Sequence, residues 1–219
     1  MIVDPAAASA HDIEKLLVGV ILPRPIAFVS TVNERGAHNL APFSFFTAVC
    51  AKPPVICFCP GIRSRDGSKK DTLRNIEATG EFVVNIVSED FARQMVQCSG
   101  DYAPEVDEFV VAGLTPIPSD LVKPPRVKES RVNLECRLVQ VLQVSAEPGG
   151  GSLVLGEVLR FHVDDAVISD GVVDPDLLQP IGRMGGLLYT RTGDRFIMER
   201  PRPVPAIPIP DTPSGPPAS

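Results

Sequence analysis

From Ile26 to Val163 every apolar run is short and ends at a turn signal, and this punctuation is what most limits the fold. Ile26–Val32 is rich in β-branched residues and reads as a strand. Asn33-Glu-Arg-Gly36 follows as a hairpin turn, with Gly36 supplying the positive φ, and Ala37–Ala41 returns. Phe45–Ala51 and Val55–Cys59 are two further runs, split by Lys52-Pro53-Pro54. Glu81–Val87 is another strand. Arg131–Ala146 and Ser152–Val163 are the longest, joined through Pro148-Gly-Gly-Gly151. Hairpin-connected strands at this spacing predict a mainly β protein built on an antiparallel barrel.

A few short helices complete the pattern. Ser9 caps an amphipathic stretch reaching Val20, with Ile13, Leu16, Leu17 and Val20 at helical spacing. Asp71–Thr79 is a second helix, stopped by Gly80, and Ser88–Cys98 a third with Ser88 as its cap. Gly100–Pro125 is a long connection with one helical turn near Val106–Val110; loops of this length usually carry function or cover something. Residues 1–200 are expected to form one domain. The remainder, 201–219, carries eight prolines in 19 residues and is expected to be an extended tail.

Composition narrows the function classes. With 44% hydrophobic residues in 219, the chain can bury a core without staples. Its net charge of −6 and the lack of a basic block argue against nucleic acid. Trp is absent and aromatics are 5%, so base-stacking platforms are not expected either. No basic segment followed by an apolar run opens the chain, and no stretch approaches the ~20 apolar residues of a membrane helix. Five cysteines in apolar contexts point to reduced thiols and a cytoplasmic location.

Two stretches carry chemistry. Arg63, Arg65, Lys69 and Lys70 precede a helix start at Asp71 or Thr72. Helix N-terminal N–H groups bind anions, and a Thr hydroxyl with Lys or Arg completes a phosphate cradle. The plainer alternative is a solvated surface loop. In Asn39-Leu-Ala-Pro-Phe-Ser44, Pro42 removes a backbone donor, so the ladder must break there or lie at a sheet edge. The freed groups beside Ser44 suit the polar rim of a heterocycle; the alternative is an ordinary bulge. Cys57 and Cys59 lack a second ligand pair, and His11, His38 and His162 are scattered, so no metal site is expected. No Gly-x-Ser-x-Gly elbow and no Gly-x-Gly-x-x-Gly unit occurs, and no catalytic constellation stands out.

Taken in order, several segments resemble the flavin reductase-like family, the FMN-binding split barrels that include flavoredoxin and the reductase components of two-component monooxygenases. They are Arg24-Pro-Ile-Ala-Phe-Val-Ser-Thr31, Asn39-Leu-Ala-Pro-Phe-Ser-Phe-Phe46, Lys52-Pro-Pro54, Lys70-Asp-Thr72 with Asn75, and Gly80-Glu-Phe-Val-Val-Asn85. Glu129-Ser130, Asn133-Leu-Glu-Cys136, Gly156-Glu157-Val158 and Arg183-Met-Gly-Gly with Tyr189 extend the likeness. The resemblance implies FMN in a homodimeric split β-barrel. Asn39, Ala41, Pro42, Ser44, Phe45 and Thr47 would line the isoalloxazine and ribityl chain. Arg63, Lys70, Asp71 and Thr72 would hold the 5′-phosphate, and Arg183 to Tyr189 would lie near the cofactor or the subunit interface. It further implies NAD(P)H as transient reductant, hydride passing to flavin N5, and an oxygenase or other electron acceptor as partner. A non-enzymatic electron carrier and an oxidase resembling pyridoxamine-phosphate oxidase are the alternatives.

Overall fold

The computed structural model describes residues 1–199; the proline-rich segment 201–219 lies outside the described residues. Seven strands form one antiparallel sheet. They are β1 (Ala27–Val32), β2 (His38–Phe43), β3 (Phe46–Ala51), β4 (Pro54–Phe58), β5 (Glu81–Ile86), β6 (Val132–Gln143) and β7 (Ser152–Val163), in the spatial order β2-β1-β5-β6-β7-β4-β3. The two outermost strands are neighbours in sequence, since β2 ends at Phe43 and β3 begins at Phe46. Laid flat, six interstrand gaps would separate them by ~29 Å. Three Cα–Cα steps reach only ~11 Å. The sheet therefore curls until its ends nearly meet, which makes it a split barrel.

Residues alternate between the two faces of this curved sheet. Ala27, Val29, Phe58, Phe82, Val84, Leu134, Cys136, Val154 and Val158 belong to the interior core. Leu73 and Ile76 of α2 (Asp71–Thr79) join it. Phe28 and Leu40 belong to a second core, packed with Phe91, Met95, Cys98 and Phe109. These last four come from or flank α3 (Ala92–Gln97) and α4 (Glu108–Ala112). Both faces of β1 are thus buried, the polar Ser30 and Thr31 included.

Buried polar side chains tie the next layer down. Asn85 donates to the Phe28 carbonyl (2.9 Å), and its own oxygen accepts the Val127 N–H and the Asn133 amide, each at 2.9 Å. Ser130 donates to the Ile86 and Val132 carbonyls at 2.9 and 2.8 Å. Asn85, Ser130 and Asn133 are therefore structural: they hold the end of the long connection against the sheet.

The helices foreseen in the sequence form, with one difference in how they begin, and a four-residue helix over Pro175–Leu178 is added in a stretch that the sequence left irregular. Ser9 caps α1 (Ala10–Val20) by accepting the Asp12 N–H, and Gly80 ends α2 at φ 73°. The expected Ser88–Cys98 helix begins instead as a 3-10 turn over Glu89–Phe91, and Ser88 makes no side-chain cap bond. Ser88 bridges Pro180, and the Glu89 N–H donates to the Gln179 carbonyl, so this first turn is held by a neighbouring segment. The helix α1 buries none of its residues.

One close approach in the barrel interior is diagnostic. Along β7, Ser152, Val154, Gly156 and Val158 face inward. A Cβ on Gly156 would lie 2.2 Å from Cζ of Phe82, whose fully buried ring packs edge-on to Phe58 and has no room to swing away. Gly156→Ala should therefore destabilise the protein by about 1–3 kcal/mol through overpacking. Urea denaturation monitored by circular dichroism will measure this; an unchanged midpoint would show that the ring yields.

Candidate functional site

The outer position of β2 settles where Pro42 fits. Pro42 pairs with Phe28 in an edge strand, where the missing N–H breaks no ladder. The free side of that edge meets two other elements. Leu40 donates its N–H to Oε2 of Glu108 on α4 (2.9 Å). Asn39 donates its amide to Oγ1 of Thr72 at the start of α2 (3.2 Å). The two stretches that stood apart in the sequence thus touch through Asn39 and Thr72.

Between them lies a cavity of about 70 Å³. Asn39, Ala41, Pro42 and Phe43 form one wall, and Arg63, Lys70, Asp71 and Thr72 another. The third wall is Cys98–Tyr102 with Glu108, none of which the sequence marked individually. Their only sequence signal was the length of the connection after residue 100. Of the predicted site residues, Ser44, Phe45 and Thr47 lie outside this lining. Ser44 accepts from Nε of Arg24 (3.3 Å), Phe45 lies beneath the same guanidinium (5.8 Å), and Thr47 is exposed on the outermost strand β3.

The cations are not equivalent. Arg63 donates to Oδ2 of Asp71 (2.6 Å), to Oδ1 of Asp101 (3.3 Å) and to the Lys69 carbonyl (2.7 Å). Burial works against its charge, but Asp71 and Asp101 raise its pKa above the ordinary arginine value. Arg65 pairs with Asp66 and Asp101, and Lys69 with both oxygens of Glu77. Arg74 pairs with Asp71. Among the described residues the Lys70 ammonium has no ion pair or hydrogen bond. Lys70 is also the N-cap of α2 and makes no side-chain cap bond. The amides of Asp71 and Thr72 find no acceptor among the described residues, as expected for a helix start. One free ammonium, two free amides and a buried hydroxyl thus belong to three consecutive residues that line the cavity, a donor set that suits a phosphoryl group.

Two acidic groups in the same wall are displaced from their ordinary values. Burial raises the Glu108 carboxyl; the Leu40 amide opposes this, while Asp107 and Asp71 add to it. Burial also pushes the Cys98 thiol up to about 12, helped by Glu108 and Asp107, so Cys98 is no thiolate nucleophile at neutral pH.

Arg24 anchors the neighbourhood. It is buried, with no carboxylate partner among the described residues. Nη1 donates to the carbonyls of Val18 (2.7 Å) and Ile21 (2.9 Å) at the end of α1, and Nη2 to that of Met184 (3.0 Å). Its backbone pairs with Arg183 in β8 (Ile181–Arg183), which pairs in turn with β9 (Tyr189–Arg191). Arg183 stacks on Tyr189 at 4.5 Å.

Elsewhere, tertiary structure gathers Asp120, Glu135 and His162, with ligand atoms within 4.8 Å of one another. Glu135 is already spoken for: it accepts the Asp120 and Leu121 N–H groups at 2.8 and 2.6 Å and bonds Nε2 of His162 at 2.5 Å. Although burial alone would raise its pKa, those donors bring it below the ordinary glutamate value. This cluster pins a loop to the sheet.

Comparison with known proteins agrees with this architecture. Residues 20–196 match the flavin reductase like domain. An uncharacterized protein from Halalkalibacterium halodurans is 38% identical over 203 residues, covering 92% of this chain and 97% of its own. Among solved structures, nitrilotriacetate monooxygenase component B from Bacillus cereus superposes with a TM-score of 0.86 at 34% identity, covering 90% of this chain and 98% of its own. The 2-nitrobenzoate 2-nitroreductase of Pseudomonas fluorescens gives 0.83 at 31%, covering 94% and 99%.

Glu108 provides a pH test of the site. Its raised folded-state pKa means that its contribution is complete below the unfolded glutamate value, ~4.3, and is lost as pH climbs through the folded value. Glu108→Gln keeps an oxygen for the Leu40 N–H but cannot ionise. The melting temperature of the variant relative to wild type should therefore rise between pH 4.5 and pH 8; a constant difference would show that Glu108 does not titrate in this range.

Proposed function

The chain belongs to the flavin reductase-like family, and we propose that it is an FMN-binding oxidoreductase reduced by NAD(P)H. The carrying observation is the Asn39–Thr72 contact, which joins an edge strand to a helix start and leaves Lys70 and two α2 amides free at one cavity. Lys70, Thr72 and the amides of Asp71 and Thr72 would hold the 5′-phosphate. Arg63 acts mainly by fixing Asp71, because most of its donors are already engaged. Asn39, Ala41 and Pro42 would border the path away from the phosphate, and Ser44 and Phe45 in the β2–β3 connection with Thr47 at the start of β3 would continue it.

A bound flavin supplies the hydride-accepting ring, so the chain need contribute only binding, orientation and access. Its residues fit that division of labour. Cys98 is held as a thiol and Glu135 is engaged in a loop clamp, so neither is a ready acid or base for the site. The likeness to a monooxygenase component favours an oxygenase as electron acceptor. The likeness to a nitroreductase favours a second reading, in which a nitroarene is reduced directly. Five free thiols support a cytoplasmic setting. Exposed Leu17 and Val20 on α1, with Phe45 and Val49 at the β3 edge, support a homodimer that covers them.

Two measurements test this reading. Purified protein should bind FMN and, under anaerobic conditions, lose its flavin absorbance on addition of NADH or NADPH. FMN binding without such bleaching would instead mark an electron carrier. Lys70→Ala and Thr72→Ala should each weaken FMN by about 10- to 100-fold, the worth of one bond to a charged group, ~1.5–3 kcal/mol. Riboflavin, which lacks the phosphate, should change by less than about threefold, well under 1 kcal/mol; equal losses for both ligands would reject the phosphate role.

A further inference from the structure

We infer that Asp101 makes the cavity selective for a terminal phosphomonoester, and hence for FMN over FAD; this rests on the flavin reading above. The cavity has a buried floor and an exposed rim. Thr72 is 1% exposed, whereas the Asp101 side chain is 51% exposed. From this rim Asp101 uses its two oxygens on two different arginines: Oδ1 accepts from Nε of Arg63, which lines the cavity, at 3.3 Å, and Oδ2 from Nη1 of Arg65, which stands outside the lining, at 3.0 Å. The bridge links the loop before α2 to the loop after α3, the two segments that flank the cavity.

Asp101 does not hang from a loose loop. The adjacent Tyr102 ring packs on Gly100, where a Cβ would lie 2.7 Å from Cε2, and its hydroxyl donates to the Gln97 carbonyl at 2.9 Å. The loop is therefore referenced to the end of α3.

The consequence follows from the shape of the two ligands. A phosphomonoester ends at its own oxygens, all of which can accept from Lys70, Thr72 and the α2 amides. A dinucleotide must continue through an ester oxygen to a second phosphate and an adenosine. Continued over the exposed rim at Asp101, that chain sets a carboxylate against a pyrophosphate. Discrimination then comes from a repulsive element built against the wrong ligand. Without Asp101, Arg63 keeps Asp71 and the Lys69 carbonyl and Arg65 keeps Asp66, but the repelling carboxylate is gone and each arginine has lost one acceptor, so the exclusion is relieved.

The test is titration of the full chain with FMN, FAD and riboflavin by flavin fluorescence. Wild type should bind FMN at least about tenfold more tightly than FAD, about 1.4 kcal/mol. Asp101→Ala should bring the two within about threefold, chiefly by tightening FAD, while riboflavin stays unchanged. Asp101→Asn, closest in size to the native residue, should shift the ratio in the same direction and guards against a folding defect in the alanine variant. Equal affinity of wild type for FMN and FAD, or an FMN-to-FAD ratio untouched by both substitutions, would overturn the inference while leaving the flavin reading intact. Failure of wild type to bind FMN at all would remove the flavin reading and this inference with it.

Discussion

The rest of the structure depends on a two-residue link. Ser44 and Phe45 connect strands that stand at opposite ends of a seven-strand order, and that span can be bridged only if the sheet closes on itself. Closure creates the interior lined by Phe58, Phe82 and Leu134. It also fixes β2 as an edge, with its unpaired backbone side turned toward α2 and α4. An edge that must not bind another chain has to be covered. Here the Glu108 carboxylate accepts the Leu40 N–H, and the Asn39 amide donates to the Thr72 hydroxyl. The cavity is what remains between the covering elements and the edge.

Buried polar groups then decide how the surrounding segments sit. Arg24 spends its guanidinium on carbonyls of Val18, Ile21 and Met184 and on the Ser44 hydroxyl, so one side chain fixes the end of α1, the loop after β8 and the β2–β3 link together. The positive charge meets the negative end of the α1 dipole, which partly offsets the cost of burying it without a carboxylate. Burial still lowers its pKa, with Arg183 adding to the effect. Asn85 and Asn133 do the equivalent for the long connection before β6. Several segments that carry the family likeness therefore maintain the frame around the cavity and do not line it.

Charge in the cavity lining is mixed in sign. Arg63 and Lys70 stand against Asp71 and Asp101 in the lining, so the site is not a basic sink. Arg63 is neutralised where it stands, Lys69 and Arg65 are paired outside the lining, and only the Lys70 ammonium and the helix amides remain open. An anion bound here must satisfy directional donors, which favours a tetrahedral phosphoryl group over a diffuse negative charge.

The sequence by itself determined what is local. The turn at Asn33–Gly36, the stop at Gly80 and the α2 span each depend on a few adjacent residues, and Gly36 and Gly80 indeed take positive φ. Pro42 announced either a break in the ladder or a sheet edge, because its missing N–H cannot serve an intact central strand, and the tertiary structure chose the edge. The cationic loop and the Asn39–Ser44 stretch were visible as chemistry, and the family resemblance joined them in one site, but the contact through Asn39 and Thr72 was not legible. Ion pairing was invisible: nothing local says that Lys69 will find Glu77, that Arg63 will find Asp71 and Asp101, or that Lys70 will be left over. Nor could the sequence place Cys98–Tyr102 and Glu108 as the third wall, or gather Asp120, Glu135 and His162. Those relations span tens of residues and exist only once the sheet has closed. The chain fixes its elements through short-range sterics and hydrogen bonds, but which charges remain free to act is a property of packing, and only the tertiary structure decides it.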